Sequence, residues 1–261
     1  MKFDNHDARI RYYELLLERD LDSLPSIPLP EGYRFVFYRP GDRDSWIDIE
    51  KSAKEFAAWE QGLAAWETYY AANEASLSSR MVFVENAAGE KVATATAYED
   101  VTGRDQSGSG WLHWVAVRRE YQGRGLSKPL IAYVLGVMRT LGYTHGKLPT
   151  QTTSWLACKV YLDLGFRPIP KNAVNSRDGW RIVRTLTDHP ALADFEPASL
   201  DEILAVRLET ERLILRDYLE EDFEAYFWLK SDEKTMYYLQ DIRLSSREEA
   251  EREFREVLAD A

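Results

Sequence analysis

Apolar residues recur at helical spacing across ARIRYYELLLER (8–19), where Ile10, Tyr13, Leu16 and Leu17 share one face, so a helix is predicted there. The prolines of SLPSIPLPEG (23–32) end it. YRFVFY (33–38), aromatic and β-branched, predicts a strand stopped by Pro40 and Gly41. Asp44 and Ser45 are placed to cap a helix from about Trp46 to Phe56, and a second helix is predicted through GLAAWETYYAA (62–72). MVFVEN (81–86) and KVATATAYE (91–99) flank the turn AAGE and predict a hairpin. The glycine- and serine-rich TGRDQSGSG (102–110) reads as a flexible loop.

WLHWVAVR (111–118) is almost unbroken apolar sequence, the pattern of a strand in the middle of a sheet. It runs into EYQGRGLSKPL (120–130). Residues 126–142 then predict a helix with Leu130, Val134 and Met138 stacked and Gly142 as C-cap. A strand over Gly146–Gln151, a helix from Ser154 to Leu164 stopped by Gly165, and strands at Phe166–Ile169 and Trp180–Thr185 complete the order. Mixed strands and helices predict an α/β or α+β domain ending near residue 190. Beyond it, Arg39 to Trp46 (RPGDRDSW) can be laid residue for residue on Arg216 to Phe223 (RDYLEEDF). In both, an apolar strand ends in arginine and a helix with an aromatic residue follows, the hint of an internal repeat too short to repeat the first core.

Charge sharpens that division. The chain of 261 residues carries a net charge of −11, and residues 196–261 hold 19 acids against 9 bases, so the acidity belongs to the tail. Such a tail argues against a nucleic-acid partner. No apolar run approaches the roughly 20 residues that a membrane helix needs, and MKFDNHDARI has no apolar stretch of the signal-peptide kind. The single cysteine, Cys158, excludes a disulfide framework, and His6, His113, His145 and His189 show no ligand spacing. A cytoplasmic protein without a metal is expected.

The quoted loop carries the candidate chemistry. A strand, a glycine-rich turn and a helix aim backbone N–H groups and the positive end of a helix dipole at one point, which suits a phosphate or pyrophosphate. Gly123 and Gly125 allow close approach of the backbone, and Arg124 adds charge. The Walker pattern G-x-x-x-x-G-K-[ST] is absent.

Gln122-Gly-Arg-Gly125-Leu126-Ser127 after the strand VAV resembles the Q/R-x-x-G-x-G/A acetyl-CoA loop of the GNAT superfamily of N-acyltransferases. Ser154-Trp-Leu-Ala157-Cys-Lys-Val-Tyr161-Leu-Asp-Leu-Gly165-Phe166 resembles that family's second signature, N-x-x-A-x-x-x-Y-x-x-x-G-F. Ser127 and Ser154 depart from the small residue and the asparagine of those patterns. The resemblance spans about residues 33–190, and LETERLILRDYLEEDF (208–223) looks like the opening of another such unit without its own loop. It implies a GNAT fold over residues 1–195 with a helical N-terminal extension, a mainly antiparallel central sheet flanked by helices, and a partial second unit over 196–261. Acetyl-CoA is the implied co-substrate.

The resemblance further implies direct attack of a primary amine, on a small molecule or a peptide, upon the thioester of acetyl-CoA. Tyr161 is then the acid for the departing thiolate, with Ser154 and Ala157 beside the pantetheine arm. Backbone N–H groups of the strand, from Val115 to Val117, hold the oxyanion. The base is left among His113, Glu99 and Asp100, the last two acting through water, or a water chain alone. Trp46, Phe56, Trp59, Trp66, Tyr69 and Tyr70 are core or one wall of the acceptor cleft, and Thr150 to Thr153 line it or are structural. A second reading is an acyl-CoA-binding or scaffold protein without turnover, its tail an interaction module packed on the first domain or on a second copy in a homodimer.

Overall fold

The hairpin of β3 (Met81–Asn86) and β4 (Lys91–Tyr98) shows how the sheet is built. Val82, Val84, Ala93, Ala95 and Ala97 turn to one buried face, and Met81 and Phe83 to the other, as a period of two requires. The computed structural model describes residues 7, 9–99, 108–169, 175–205, 207–209, 211–216, 218, 220–239, 244 and 246–260. Most of TGRDQSGSG, and Asp100, lie outside them.

Seven strands form one sheet in the order β2-β3-β4-β5-β6-β1-β7. Besides the hairpin these are β1 (Glu14–Asp20), β2 (Tyr33–Phe37), β5 (Gly110–Val117), β6 (His145–Gln151) and β7 (Arg167–Ile169). Every neighbouring pair is antiparallel except β5 with β6, which is parallel. On one face α3 (Ser127–Thr140) packs against β3, β4 and β5. Leu130, Val134, Leu135 and Met138 of α3 are fully buried there. On the other face α1 (Arg43–Ala53) covers β4 and β5, with α2 (Trp59–Tyr69) beside it. Trp46, Trp66, Tyr70, Phe83 and their neighbours make a second, aromatic core.

Two elements differ from expectation, and they trade places. The predicted N-terminal helix is β1, paired with β6 through seven residues and with β7 through three. Three consecutive leucines satisfy either period locally. The ladder decides, burying Leu15 and Leu17 on one face. The predicted strand over Trp180–Thr185 lies inside helix α5 (Asn175–Thr187), which packs on β1. Trp180 and Val183, one turn apart, are buried, while Asp178 and Arg181 pair at 3.4 Å on the wetter side. Its β-branched residues suit a strand, but β1 already fills the slot between β6 and β7. At the helix–strand contact Gly179 is indispensable, since a Cβ there would lie 2.8 Å from Leu15 Cδ2 and 2.9 Å from Tyr13 Cβ.

A smaller correction concerns α1. It starts at Arg43, with Asp42 as N-cap, so Asp44 and Ser45 lie within the helix. The Asp42 carboxylate instead accepts from the Arg39 amide at 2.9 Å and pairs with Lys91 at 3.0 Å. Helix α4 (Trp155–Asp163) ends at Gly165, whose φ of +88° is the left-handed geometry that favours glycine.

Contacts divide the chain into two units, one holding Tyr13–Ser199 and the other Arg9–Tyr12 with Leu200–Ala261. The second has its own short hairpin, β8 (Arg207–Glu209) with β9 (Ile214–Arg216), and helices α6 (Leu200–Ile203), α7 (Phe223–Ser231), α8 (Glu233–Leu239) and α9 (Arg247–Asp260). Tyr226, Leu244, Ala250 and Phe254 are its buried core.

Candidate functional site

Strand β5 is the axis of the site. It pairs with β6 only through Gly110 with Gly146 and Trp111 with Lys147, and the two strands part beyond that point. Its register against β4 slips, the two residues between His113 and Ala116 facing the single residue between Thr96 and Thr94. The extra residue is a β-bulge, and Trp114 takes φ +47° there. A tryptophan in the left-handed region costs on the order of 1–2 kcal/mol and persists only where the surroundings impose it.

Past the bulge no strand among the described residues pairs with the outer edge of β5. The Arg118 amide donates to Val92 at 2.8 Å. Alternation along an antiparallel ladder therefore turns the Val117 N–H and C=O away from β4, toward the side where β6 has parted. The Val117 carbonyl accepts from Gln122 Nε2 at 3.1 Å. Gly123 and Gly125 both adopt φ +76°, and a Cβ would meet nothing closer than Pro30 Cγ at 4.0 Å from Gly125. Glycine is needed here for the backbone angle and not for space. Gly123, Arg124 and Gly125 are exposed, while Leu126 is buried and anchors the turn.

Helix α3 begins at once, and the first-turn amides of Ser127 and Lys128 have no intrahelical acceptor. Arg124 stacks on Tyr121 at 4.6 Å, donates to the Glu120 carbonyl at 3.0 Å and reaches the Tyr33 hydroxyl at 3.4 Å. Open amides, a positive helix end and a fixed guanidinium fit a pyrophosphate.

Helix α4 borders the parted strands. Ser154 is buried at its start and accepts from Gln151 Nε2 at 2.9 Å. Ala157 is half-buried. Cys158 is fully buried, its thiol donating to the Gln151 carbonyl at 3.6 Å, and burial pushes its pKa up to about 12, which disfavours the thiolate. Tyr161 is 8% exposed and meets the Phe166 ring edge-on at 6.0 Å. Burial above all, then the field of Cys158, Glu55 and Glu50, raises its pKa, so the phenol keeps its proton. Thr152 is buried and accepts from the Tyr13 amide at 2.9 Å, a structural task.

His113 and Glu99 lie elsewhere in the same unit. His113 stacks on Tyr98 at 4.5 Å, and its Nδ1 is 3.1 Å from the Tyr70 hydroxyl, which also bonds Thr96 at 3.2 Å. Burial pulls its pKa down to about 3, leaving a neutral and weakly basic imidazole. Glu99 is salt-bridged to Arg80 at 2.9 Å. It lines a small open cleft with Tyr69, Tyr70, Arg80, Thr96 and Tyr98.

Residues 44–166, which span α1, the bulged strand, the loop and both signatures, match the acetyltransferase (GNAT) family. Those residues carry a GNAT acetyltransferase domain. Among solved structures it is similar to a GCN5-related N-acetyltransferase from Sphaerobacter thermophilus, at 23% identity over 62% of this chain and 49% of that one, with a TM-score of 0.49. A GNAT-family acetyltransferase from Novosphingobium aromaticivorans gives 21% identity over 62% of each chain and a TM-score of 0.43. One from Colwellia psychrerythraea gives 14% over 63% of this chain and 55% of that one, with a TM-score of 0.47. The chain thus spans about half the length of the first of these. No curated protein matches.

In this GNAT domain the structure brings Val115, Val117, Gln122 to Ser127 and the α4 residues around the opening beside β5. Glu99 lines the cleft with Tyr70 and Tyr98, and His113 is buried against those two rings. Sequence reading missed Glu50, on the sheet-facing stripe of α1 with Trp46, Ile49 and Ala53, and fully buried. Its signal was a carboxyl at helical spacing on an otherwise apolar face.

Proposed function

We propose that the protein is an N-acetyltransferase that moves an acetyl group from acetyl-CoA to a primary amine by direct attack in a ternary complex. The observation that carries the reading is the pairing of a bulged β5, open beyond Trp111, with a loop whose two glycines sit at φ +76° ahead of α3. The pyrophosphate is held by the amides from Gly123 to Ser127 and the α3 dipole. Arg124 adds charge at the rim, and Gln122 holds the loop against Val117. The pantetheine arm runs in the opening, past Ser154 and Ala157.

Bound acetyl-CoA supplies an electrophilic carbonyl carbon and a thiolate leaving group. The outward N–H groups of Val115 and Val117 stabilise negative charge on the carbonyl oxygen. Tyr161, with its proton retained by burial, gives that proton to the departing sulfur. His113 is too weak a base for an ammonium, and Glu99 is engaged by Arg80. We therefore assign Glu99, which lines the cleft, to the route by which a proton leaves, and leave His113 as a buried partner of Tyr70.

Calorimetric titration with acetyl-CoA and then with free CoA tests the reading. One site with micromolar or tighter affinity, about −8 kcal/mol, followed by thiol release in the presence of amines, is expected. Absence of binding by either nucleotide sinks it, and binding without thiol release across amines favours a non-catalytic acyl-CoA binder.

A further inference from the structure

We propose that Glu50 receives the ammonium group of the acceptor and takes up its proton, at the junction of α1 with the β5 bulge where the rings of Trp46, Trp114 and Tyr70 converge. The proposal rests on the N-acyltransfer reading above and names the residue that receives the acceptor amine.

Glu50 is fully buried, and among the described residues neither of its carboxyl oxygens has a hydrogen-bond partner. Three further side chains at this junction are orphaned in the same way: Trp46 through Nε1, Trp114 through Nε1 and Thr94 through its hydroxyl. Trp46 precedes Glu50 by one helical turn and packs edge-on against Trp114, the bulged residue, at 5.6 Å. Thr94 faces Ala116 beside the bulge and, two residues from Thr96, shares the face on which Thr96 meets Tyr70. Each unpaired buried polar group costs about 1–3 kcal/mol. Four in one place, next to the parted strands, mark a site built for something other than its own core.

The chemistry selects a cation. Glu55, whose amide donates to the Glu50 carbonyl at 3.0 Å, is a second carboxyl at the same helix end, and its field acts on both Glu50 and Tyr161. Burial foremost, and Glu55 next, raises the Glu50 pKa well above the ordinary carboxylate range, which favours the protonated acid. The other titratable groups facing it are Tyr70, on which Glu50 acts, and Tyr161. An ammonium offers three donors to a carboxylate, and aromatic faces attract it further.

The protons balance. R–NH3⁺ binding to Glu50–COOH expels one proton to solvent and leaves the pair R–NH3⁺·⁻OOC–Glu50. Transfer of one N–H proton regenerates Glu50–COOH and a neutral amine with a free lone pair. Glu50 ends as it began, and the net proton has left on binding.

The test titrates the full chain with butylammonium chloride, following tryptophan fluorescence, since Trp46 and Trp114 border the site. Calorimetry in two buffers of different ionisation enthalpy counts protons. The wild type is expected to respond saturably and release up to one proton per cation near neutral pH. Glu50→Gln is expected to weaken the response about tenfold or more and to abolish proton release, with acetyl-CoA affinity unchanged. Glu50→Asp, which keeps the carboxyl but retracts it by one methylene, is the second variant and is expected to fall between. An equal response in Glu50→Gln, or no saturable response in the wild type, overturns the proposal. Loss of acetyl-CoA binding by the wild type would instead strike the underlying N-acyltransfer reading.

Discussion

The side-chain amide of Gln122 donates to the carbonyl oxygen of Val117 at 3.1 Å, and so ties the loop that opens α3 to the last residue of the strand before it. The bond spans the place where nucleotide and thioester meet in the proposed complex. Replacing Gln122 by alanine removes a bond worth about 1 kcal/mol and lets the loop drift from the strand. Acetyl-CoA affinity should fall about fivefold with little change in melting temperature, as calorimetry and thermal unfolding would report.

Gly125 separates two effects. Gly125→Ala meets no atom closer than Pro30 Cγ at 4.0 Å, so its cost is the left-handed backbone alone, about 1 kcal/mol of stability. Gly125→Asp adds a negative charge beside the proposed pyrophosphate and should abolish CoA binding in a folded protein. A folded aspartate variant with unchanged affinity would mean that the nucleotide binds elsewhere.

Gly179 predicts a purely structural loss. A methyl group there must push into Leu15 and Tyr13, so Gly179→Ala should separate α5 from β1 and cost about 1–3 kcal/mol. The drop is to be read as a lower urea midpoint, with the acetyl-CoA affinity of the remaining folded protein unaltered.

The same contact shows what the sequence could and could not tell. From YRFVF to the helix ended by Gly165 the elements were legible, because each carries its own period and its own stop signal. So was the loop, since glycine at φ +76° is a local demand. The chain ends were not legible. Whether ELLLERD lies in a ladder, and whether GWRIVRT covers it as a helix, depends on which segment reaches the slot between β6 and β7, a competition invisible in either stretch alone. Glu50 was hidden for another reason. Its charge reads as surface until burial of the whole α1 face is known.

Tyr161→Phe removes the phenolic proton and leaves the ring that packs on Phe166. Acetyl-CoA affinity and melting temperature should stay near wild type, while turnover falls about a hundredfold or more. Pre-steady-state thiol release is the discriminating measurement. Unimpaired release in this variant would remove Tyr161 from the acid's role.

Two buried groups give stability opposite pH dependences. His113 titrates near 3 when folded against about 6.5 in an unfolded chain. The unfolded chain therefore binds its proton first, and the stability that His113 confers is whole above about pH 6.5 and drains away toward pH 3. Glu50 behaves in the reverse sense. Its folded pKa lies above the ordinary 4.5, so its contribution is whole below about pH 4.5 and is lost as pH climbs through the folded value. Between about pH 4.5 and 6.5 the two slopes oppose each other, so urea unfolding across pH 4–9 should show wild-type stability nearly level in that window and declining above it, each pKa unit being worth about 1.4 kcal/mol. Glu50→Gln carries no titrating group, so it should remove the alkaline decline, become more stable than wild type at pH 8, and expose the full acid-side decline of His113 below about pH 6.5. Identical alkaline limbs in the two proteins would show that Glu50 is ionised in the folded state, and that a bound cation expels no proton from it.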